Sequence, residues 1–405
     1  MYIKRFIAIA VALCTLFKAE AQQSDILVND KDTIRYTYTP LPTKPTQKSG
    51  WQKIVDYYQQ STTDNTDTKR FDVTVVGAPT YSSTVGLGLG VMAAGLYRID
   101  KENFNLPPST ASLFARATLR GVYTIGAEGV NIFKNDRNRL LYRLSFASNP
   151  TFFWGIEYQA AVTNTPIKYT SNSQQTELSY YHRLCRNLYI GARLNFDYIY
   201  AKKSYIQSLK PYIANGDSKA LSTGISLLLE YDCRDFILNP QQGVYVSLQT
   251  MLRPHILGST DSNSWRFTGI ASYYKRLWKG ATIAFELYAE SNSSSTPWQF
   301  YARIGSKYRM RGYYEGRFID RNLATAQIEL RQNIWQRFGV AVWGGAGNCF
   351  SSADDFRWSH TMPNYGIGLR WELKKRVNIR LDYGFGGVVN GKLINGFQVQ
   401  LGEAF

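Results

Sequence analysis

From about residue 84 to the end of the chain, apolar side chains recur at every second position, the period of a strand with one greasy and one wet face. In VNIRLDYG, Val377, Ile379, Leu381 and Tyr383 fall on one face while Asn378, Arg380 and Asp382 fall on the other. IGLRWELK repeats the pattern: Ile367, Leu369, Trp371 and Leu373 oppose Gly368, Arg370, Glu372 and Lys374. FQVQL near the end does the same. Helical spacing is almost absent here, so the pattern predicts an all-β fold.

Alternation alone suits a soluble sandwich as well as a membrane barrel, and connection lengths separate the two. KG (279–280), KKR (374–376), NP (149–150) and RNL (186–188) read as tight turns. They alternate with long polar connections at 98–110, 163–175, 201–220, 254–264, 291–322, 350–363 and 386–394, with one short interruption near 134–138. Short turns on one rim and long loops on the other is the outer-membrane pattern. Counting alternating segments back from Phe405 gives about 16 strands. At roughly 20 residues per strand plus connection, that suits membrane strands of about 9–11 residues. The expected fold is a 16-stranded antiparallel transmembrane β-barrel over residues 71–405, with both termini in the periplasm. A large soluble all-β protein is the alternative.

Ahead of the barrel, residues 1–21 read as a secretory signal, with Lys4 and Arg5 before the apolar run 6–17 and Ala19-Glu20-Ala21 at the cleavage site. Residues 22–70 form a periplasmic extension that begins Pro-rich and polar. In WQKIVDYYQQ, Trp51, Ile54, Val55 and Tyr58 share one helical face, so a short amphipathic helix is expected near 51–60. FDVTVVGAP then reads as either an extra strand or an early extension of the first. TVGLGLGVMAAG reads as the first strand, where Gly86, Gly88 and Gly90 remove bulk from one face.

Composition narrows the partners. Tyrosine is the most abundant aromatic, which fits two interfacial girdles. A formal net charge of +17 on an exported chain points to anionic lipid rather than nucleic acid. Lys202, Lys203, Lys210 and Lys219 read as a solvated loop or as contacts to lipopolysaccharide phosphates. Beyond the leader's Cys14, Cys185, Cys233 and Cys349 form neither a metal set nor a disulfide framework. The only histidines, His182, His255 and His360, lie near no nucleophile motif. No catalytic residue, metal site or cofactor is expected.

Three blocks carry a family resemblance. In YDCRDFILNPQQG, Asp232, Arg234, Asp235, Pro240 and Gly243 resemble the D-x-R-D-x(4)-P-x-x-G hairpin of the BamA/TamA-type surface-antigen barrels of the outer membrane. Met310-Arg311-Gly312-Tyr313 is similar to that family's V-R-G-F/Y motif in the sixth external loop. GFQVQLGEAF, with Phe397, Val399, Leu401 and Phe405, resembles its aromatic-terminated last strand. The strand count separately puts Arg311 in a sixth external loop and NPQQG in a periplasmic turn. The pre-barrel segment is too short for a POTRA domain, which resembles the POTRA-less subset of Bacteroidota type.

The resemblance implies a sixth loop folded into the lumen, its arginine paired with an acid on the following strand. In LATAQIELRQ, Ala324, Ala326, Ile328 and Leu330 would face lipid, leaving Gln327, Glu329 and Arg331 inside. Glu329 therefore holds the family's acidic position. A second acid on the next strand is missing, since VWGGAGNCF has Gly345 there, so one strong acidic partner is expected. Arg193, Asp197, Glu230, Arg370, Glu372, Arg380 and Asp382 read as further lumenal charges. The family implies a weak seam between first and last strands, and a barrel assisting insertion, assembly or translocation of proteins alongside an outer-membrane assembly complex or client barrels. The other reading is a passive pore or structural subunit of such a complex.

Overall fold

The computed structural model describes residues 70–82, 85–100, 106–201, 218–259, 262–374 and 376–405. The expected signal peptide, the helix of Trp51, Ile54, Val55 and Tyr58, and Lys202, Lys203 and Lys210 all lie outside them.

Sixteen antiparallel strands close into a barrel. They are β1 (Asp72–Ser82), β2 (Gly86–Tyr97), β3 (Ser109–Thr118), β4 (Tyr123–Ile132), β5 (Asn138–Phe153), β6 (Ile167–Cys185), β7 (Leu188–Ala201) and β8 (Lys219–Asp232). β9 (Gly243–Arg253), β10 (Ser264–Arg276), β11 (Ala281–Asn292), β12 (Asn322–Trp335), β13 (Phe338–Phe350), β14 (Met362–Lys374), β15 (Val377–Val389) and β16 (Lys392–Leu401) complete it. Each strand pairs with its sequence neighbour, and β16 returns to β1. Among the described residues no helix is long and apolar enough to cross a membrane, so the crossing is made by strands.

Period-two alternation becomes an inside and an outside. On β12, Ala324, Ala326 and Ile328 are exposed outward, while Thr325, Gln327 and Glu329 are buried inward. On β14, Ile367 and Leu369 face outward and Arg370 is buried. This inverts a soluble protein, and the outward apolar band belongs against acyl chains. At the short-turn rim, Trp335, Phe338 and Trp371 stack with centroids 6.4 and 6.2 Å apart, one arc of an aromatic girdle.

Several sequence expectations need correction. The Asn149-Pro150 pair is no turn: it lies inside β5, with Pro150 opposite Thr170, because the β5–β6 ladder continues to Phe153 and Ile167. The polar run 170–176 is thus part of a 19-residue strand, and the external connection there is 154–166, carrying the short helix α1 (Tyr158–Thr163). Segment 98–108 joins β2 to β3 on the short-turn rim rather than the long-loop rim. Most of 386–394 is strand, closed by an Asn390-Gly391 turn whose φ angles of 52° and 72° suit a two-residue hairpin. The glycine-rich segment is β2, and Asp72–Ser82 is the first strand. Connection 293–321, which holds Arg311, remains the sixth on the external rim.

The seam departs from the other ladders. β1 pairs with β2 along all eleven of its residues, whereas among the described residues its register with β16 is Tyr81 opposite Val399 and Ser82 opposite Gln398. The Tyr81 and Phe397 rings lie 5.7 Å apart across this junction.

Candidate functional site

Connection 293–321 descends into the barrel, stiffened by a two-residue ladder between Ala302–Arg303 and Ile319–Asp320. Its tip is held in an unusual backbone path, with Met310 at φ 50° and Gly312 at φ 104°. A side chain at Gly312 would meet the Gly384 carbonyl at 2.5 Å, and one at Gly384 would meet the Arg311 carbonyl at 2.2 Å. Glycine at both positions lets the loop backbone lie flat against β15. Tyr313 fixes the tip further: its hydroxyl donates to the Pro363 carbonyl (2.7 Å) and accepts from the Gly387 amide (2.7 Å). Met310, Tyr313 and Phe318 pack with Ala161 of α1 and Leu323, so the loop carries its own apolar core inside the lumen.

Arg311 is fully buried, as is Glu329. Its Nη2 lies 2.6 Å from Glu329 Oε2, an ionic contact whose angle falls short of an aligned hydrogen bond. Its Nη1 donates to Asp382 Oδ2 at 2.9 Å. Its guanidinium carbon sits 3.7 Å from the Trp343 ring centroid, and Asn364 donates to its carbonyl. Arg311 therefore has two acidic partners, not one. The second is Asp382, buried on the inward face of β15, while Gly345 on β13 carries no charge.

The pair belongs to a larger network. Asp382 also accepts from Arg370 (2.6 Å) and Arg380 (2.9 Å), and Glu329 also meets Arg331 (2.7 Å) and Arg370 (3.5 Å). Arg370 continues to Glu403 at 2.7 Å. Such a chain of shared hydrogen bonds in a site closed to bulk water is cooperative, and costly to break at any one member. A second anchor sits beside it: Arg309 makes two bonds to Glu286 of β11 (2.7 and 3.0 Å), and Gln327 donates to the same carboxylate. Arg309, Glu286, Trp343, Asn364 and Glu403 were not singled out from sequence. The inward parity of Glu286 and Asn364 was the available signal.

The hairpin motif is a folded unit. Asp232 accepts from the Arg234 amide, Nε and Nη2 (3.1, 2.9 and 2.7 Å), and Arg234 lies over the Tyr245 ring. Asp235 accepts from the amides of Gln241 and Gln242. Gly243 has φ 116°, and a Cβ there would strike the Cys233 carbonyl at 2.4 Å. Pro240 presents its carbonyl to Arg331 Nη1 at 3.3 Å.

The chain's end also departs from expectation. Phe397, Val399 and Leu401 lie in β16, but Phe405 does not: Gly402, at φ 80°, turns residues 402–405 off the wall. Glu403 is buried, accepting from Arg370 and from Asn378 (2.6 Å), and the Phe405 carbonyl accepts from Arg331 (2.6 Å). Inward arginines that already meet Glu329 and Asp382 gain further acceptors from the tail.

Of the histidines, His182 Nδ1 lies 2.8 Å from Asn138 Oδ1 and His360 stacks on Tyr158 at 4.2 Å, while His255 sits in connection 254–263. Away from the sixth loop, a cavity of about 270 Å³ is lined by Glu128, Arg143, Glu177 and Arg193 among others.

A closed 16-stranded barrel, greasy outside and charged within, defines the chain as an outer-membrane β-barrel. The Omp85 superfamily domain profile matches residues 129–405, and the chain belongs to that superfamily. Among solved structures it is similar to BamA from Haemophilus ducreyi lacking POTRA domains 1–3, with a TM-score of 0.57 at 12% identity, covering 82% of this chain and 70% of that one. It is also similar to CdiB from Escherichia coli (TM-score 0.57, 13% identity) and from Acinetobacter baumannii (0.51, 12%). These cover 81% and 82% of this chain, which spans 62% and 60% of theirs. At these identities the likeness is one of fold. No curated protein sequence matches the chain.

Proposed function

We propose that this barrel assists the insertion, assembly or translocation of proteins at the outer membrane, with the sixth loop locked in the lumen through Arg311. The observation that carries the reading is the seam, where among the described residues two register positions join β1 to β16 while β1 and β2 pair over eleven residues. Parting that register offers backbone groups that an incoming strand pairs with. The arginine network supports the same reading by keeping the rest of that wall rigid, since Arg311 ties the loop to β12 and β15. The partners in this reading are outer-membrane lipid, client barrels and an assembly complex. The experiment is reconstitution into liposomes, with and without the cell's assembly machinery: faster folding of a client barrel supports the proposal, and no acceleration in either case removes it.

A second reading, a passive pore or structural subunit, is favoured by the charged cavity along β3 to β7. A stable open channel from the intact protein in planar bilayers supports it; rare openings that increase in Arg311→Ala support the plugged insertase.

A further inference from the structure

The connection between β8 and β9, residues 233–242, does not stay on its own side of the short-turn rim. In a ring of sixteen strands β8 stands opposite β16. Yet the Leu238 carbonyl accepts from the Glu403 amide at 3.0 Å, just beyond the end of β16. Arg376, in the turn between β14 and β15, donates through Nη2 to Asp235 Oδ2 and to the Asn239 carbonyl, each at 2.8 Å. Arg331 of β12 takes both sides at once, donating to the Pro240 carbonyl from the hairpin and to the Phe405 carbonyl from the tail. The hairpin and the inward-turned tail therefore meet over the mouth and are pinned by two arginines from a third part of the wall.

We infer that residues 233–242 and 402–405 form a latch across the periplasmic mouth, held shut by the Arg376–Asp235 pair and the Arg331 bridge. The hairpin motif then has a role of its own: Asp232 and Arg234 stiffen its base, Gly243 sets the sharp exit into β9, and Asp235 is the bolt. The tail half shares Glu403 with Arg370, so the latch adjoins the Arg311 network but closes the opposite end of the lumen from the external loops. It is a gate on the lumen, separate from the seam. It does not depend on the insertion reading.

Charge exchange tests it. Arg376→Glu places two carboxylates face to face, and the amide of Glu403, whose acceptor is Leu238, reports the latch directly by hydrogen exchange. The expected result is Glu403 exchange faster by about tenfold or more, together with higher conductance in planar bilayers, both restored by the double swap Asp235→Arg with Arg376→Glu. Should Arg376→Glu not assemble, Arg376→Gln removes the same pair without repulsion and reads the same way. Unchanged exchange overturns the latch. Faster exchange with unchanged conductance overturns the gate, because the contact would then be present without closing the mouth.

Discussion

Arg311 and Asp382, 71 residues apart in sequence, meet at 2.9 Å in the barrel interior. The contact joins the tip of an external loop to a strand next to the seam, and Glu329 completes it from β12. A guanidinium held by two carboxylates and an indole face has no water to fall back on. Arg311→Ala should therefore destabilise the barrel by roughly 3–5 kcal/mol, the cost of stranding buried carboxylates. Heat-modifiability on semi-native gels checks this as a lowered transition temperature. Arg311→Lys should recover only part of it, since one ammonium cannot match the fork.

Asp382→Asn should cost less than Asp382→Ala, because the amide keeps one acceptor for Arg370 or Arg380. Adding back the acid that the family places on β13 should not rescue it. A Cβ at Gly345 would lie 2.5 Å from the Ala326 carbonyl, so Gly345→Asp in the Asp382→Asn background should be less stable still. Unfolding in urea measures the order.

Gly384→Ala tests the loop's close approach. Its methyl would sit 2.2 Å from the Arg311 carbonyl, so the loop or β15 must shift, at roughly 1–3 kcal/mol. Gly344→Ala is the control, for nothing lies within 4 Å of a Cβ there. Proteolytic nicking of connection 293–321 should rise in the first variant and not in the second.

The strands and their inward faces were legible because period two survives wherever one face meets lipid. Glu329 falls on the inward parity of LATAQIELRQ for that reason, and the structure has it there. Asp382 as an Arg311 partner was not legible. Parity put it inside, but which inward charges meet depends on closure of the ring and on how deep the loop descends. The tail escaped notice because the last aromatic resembles a strand terminus, and only the left-handed Gly402 shows that the strand has stopped. Asn149-Pro150 misled through turn-forming residue types, where the tertiary ladder overrode them; Asn390-Gly391 was a true hairpin signal passed over inside a presumed long loop.

The hairpin gives a pH dependence outside the membrane wall. Burial alone would push the Asp235 carboxyl up, but the Gln241 amide, the Arg376 guanidinium and the Gln242 amide outweigh it and hold it below the usual value. A depressed carboxylate stabilises the fold above its unfolded value, about 3.9. That contribution is lost as pH falls through the lower folded value. Protection of amides 233–242, corrected for the chemical exchange rate, should be flat from neutral pH to about 5 and fall below about 4. Arg376→Gln should move the fall to higher pH.

The seam decides the functional account most directly. Tyr81 and Val399 are register partners there, so cysteines at the two positions should form a disulfide that locks β1 to β16, in a background lacking Cys185 and Cys233. The measurement is the rate at which a small client barrel folds into liposomes carrying this double-cysteine protein, reduced and oxidised. The account predicts acceleration by the reduced form that disappears on oxidation and returns with reductant. Equal acceleration from the locked and unlocked barrels would contradict it.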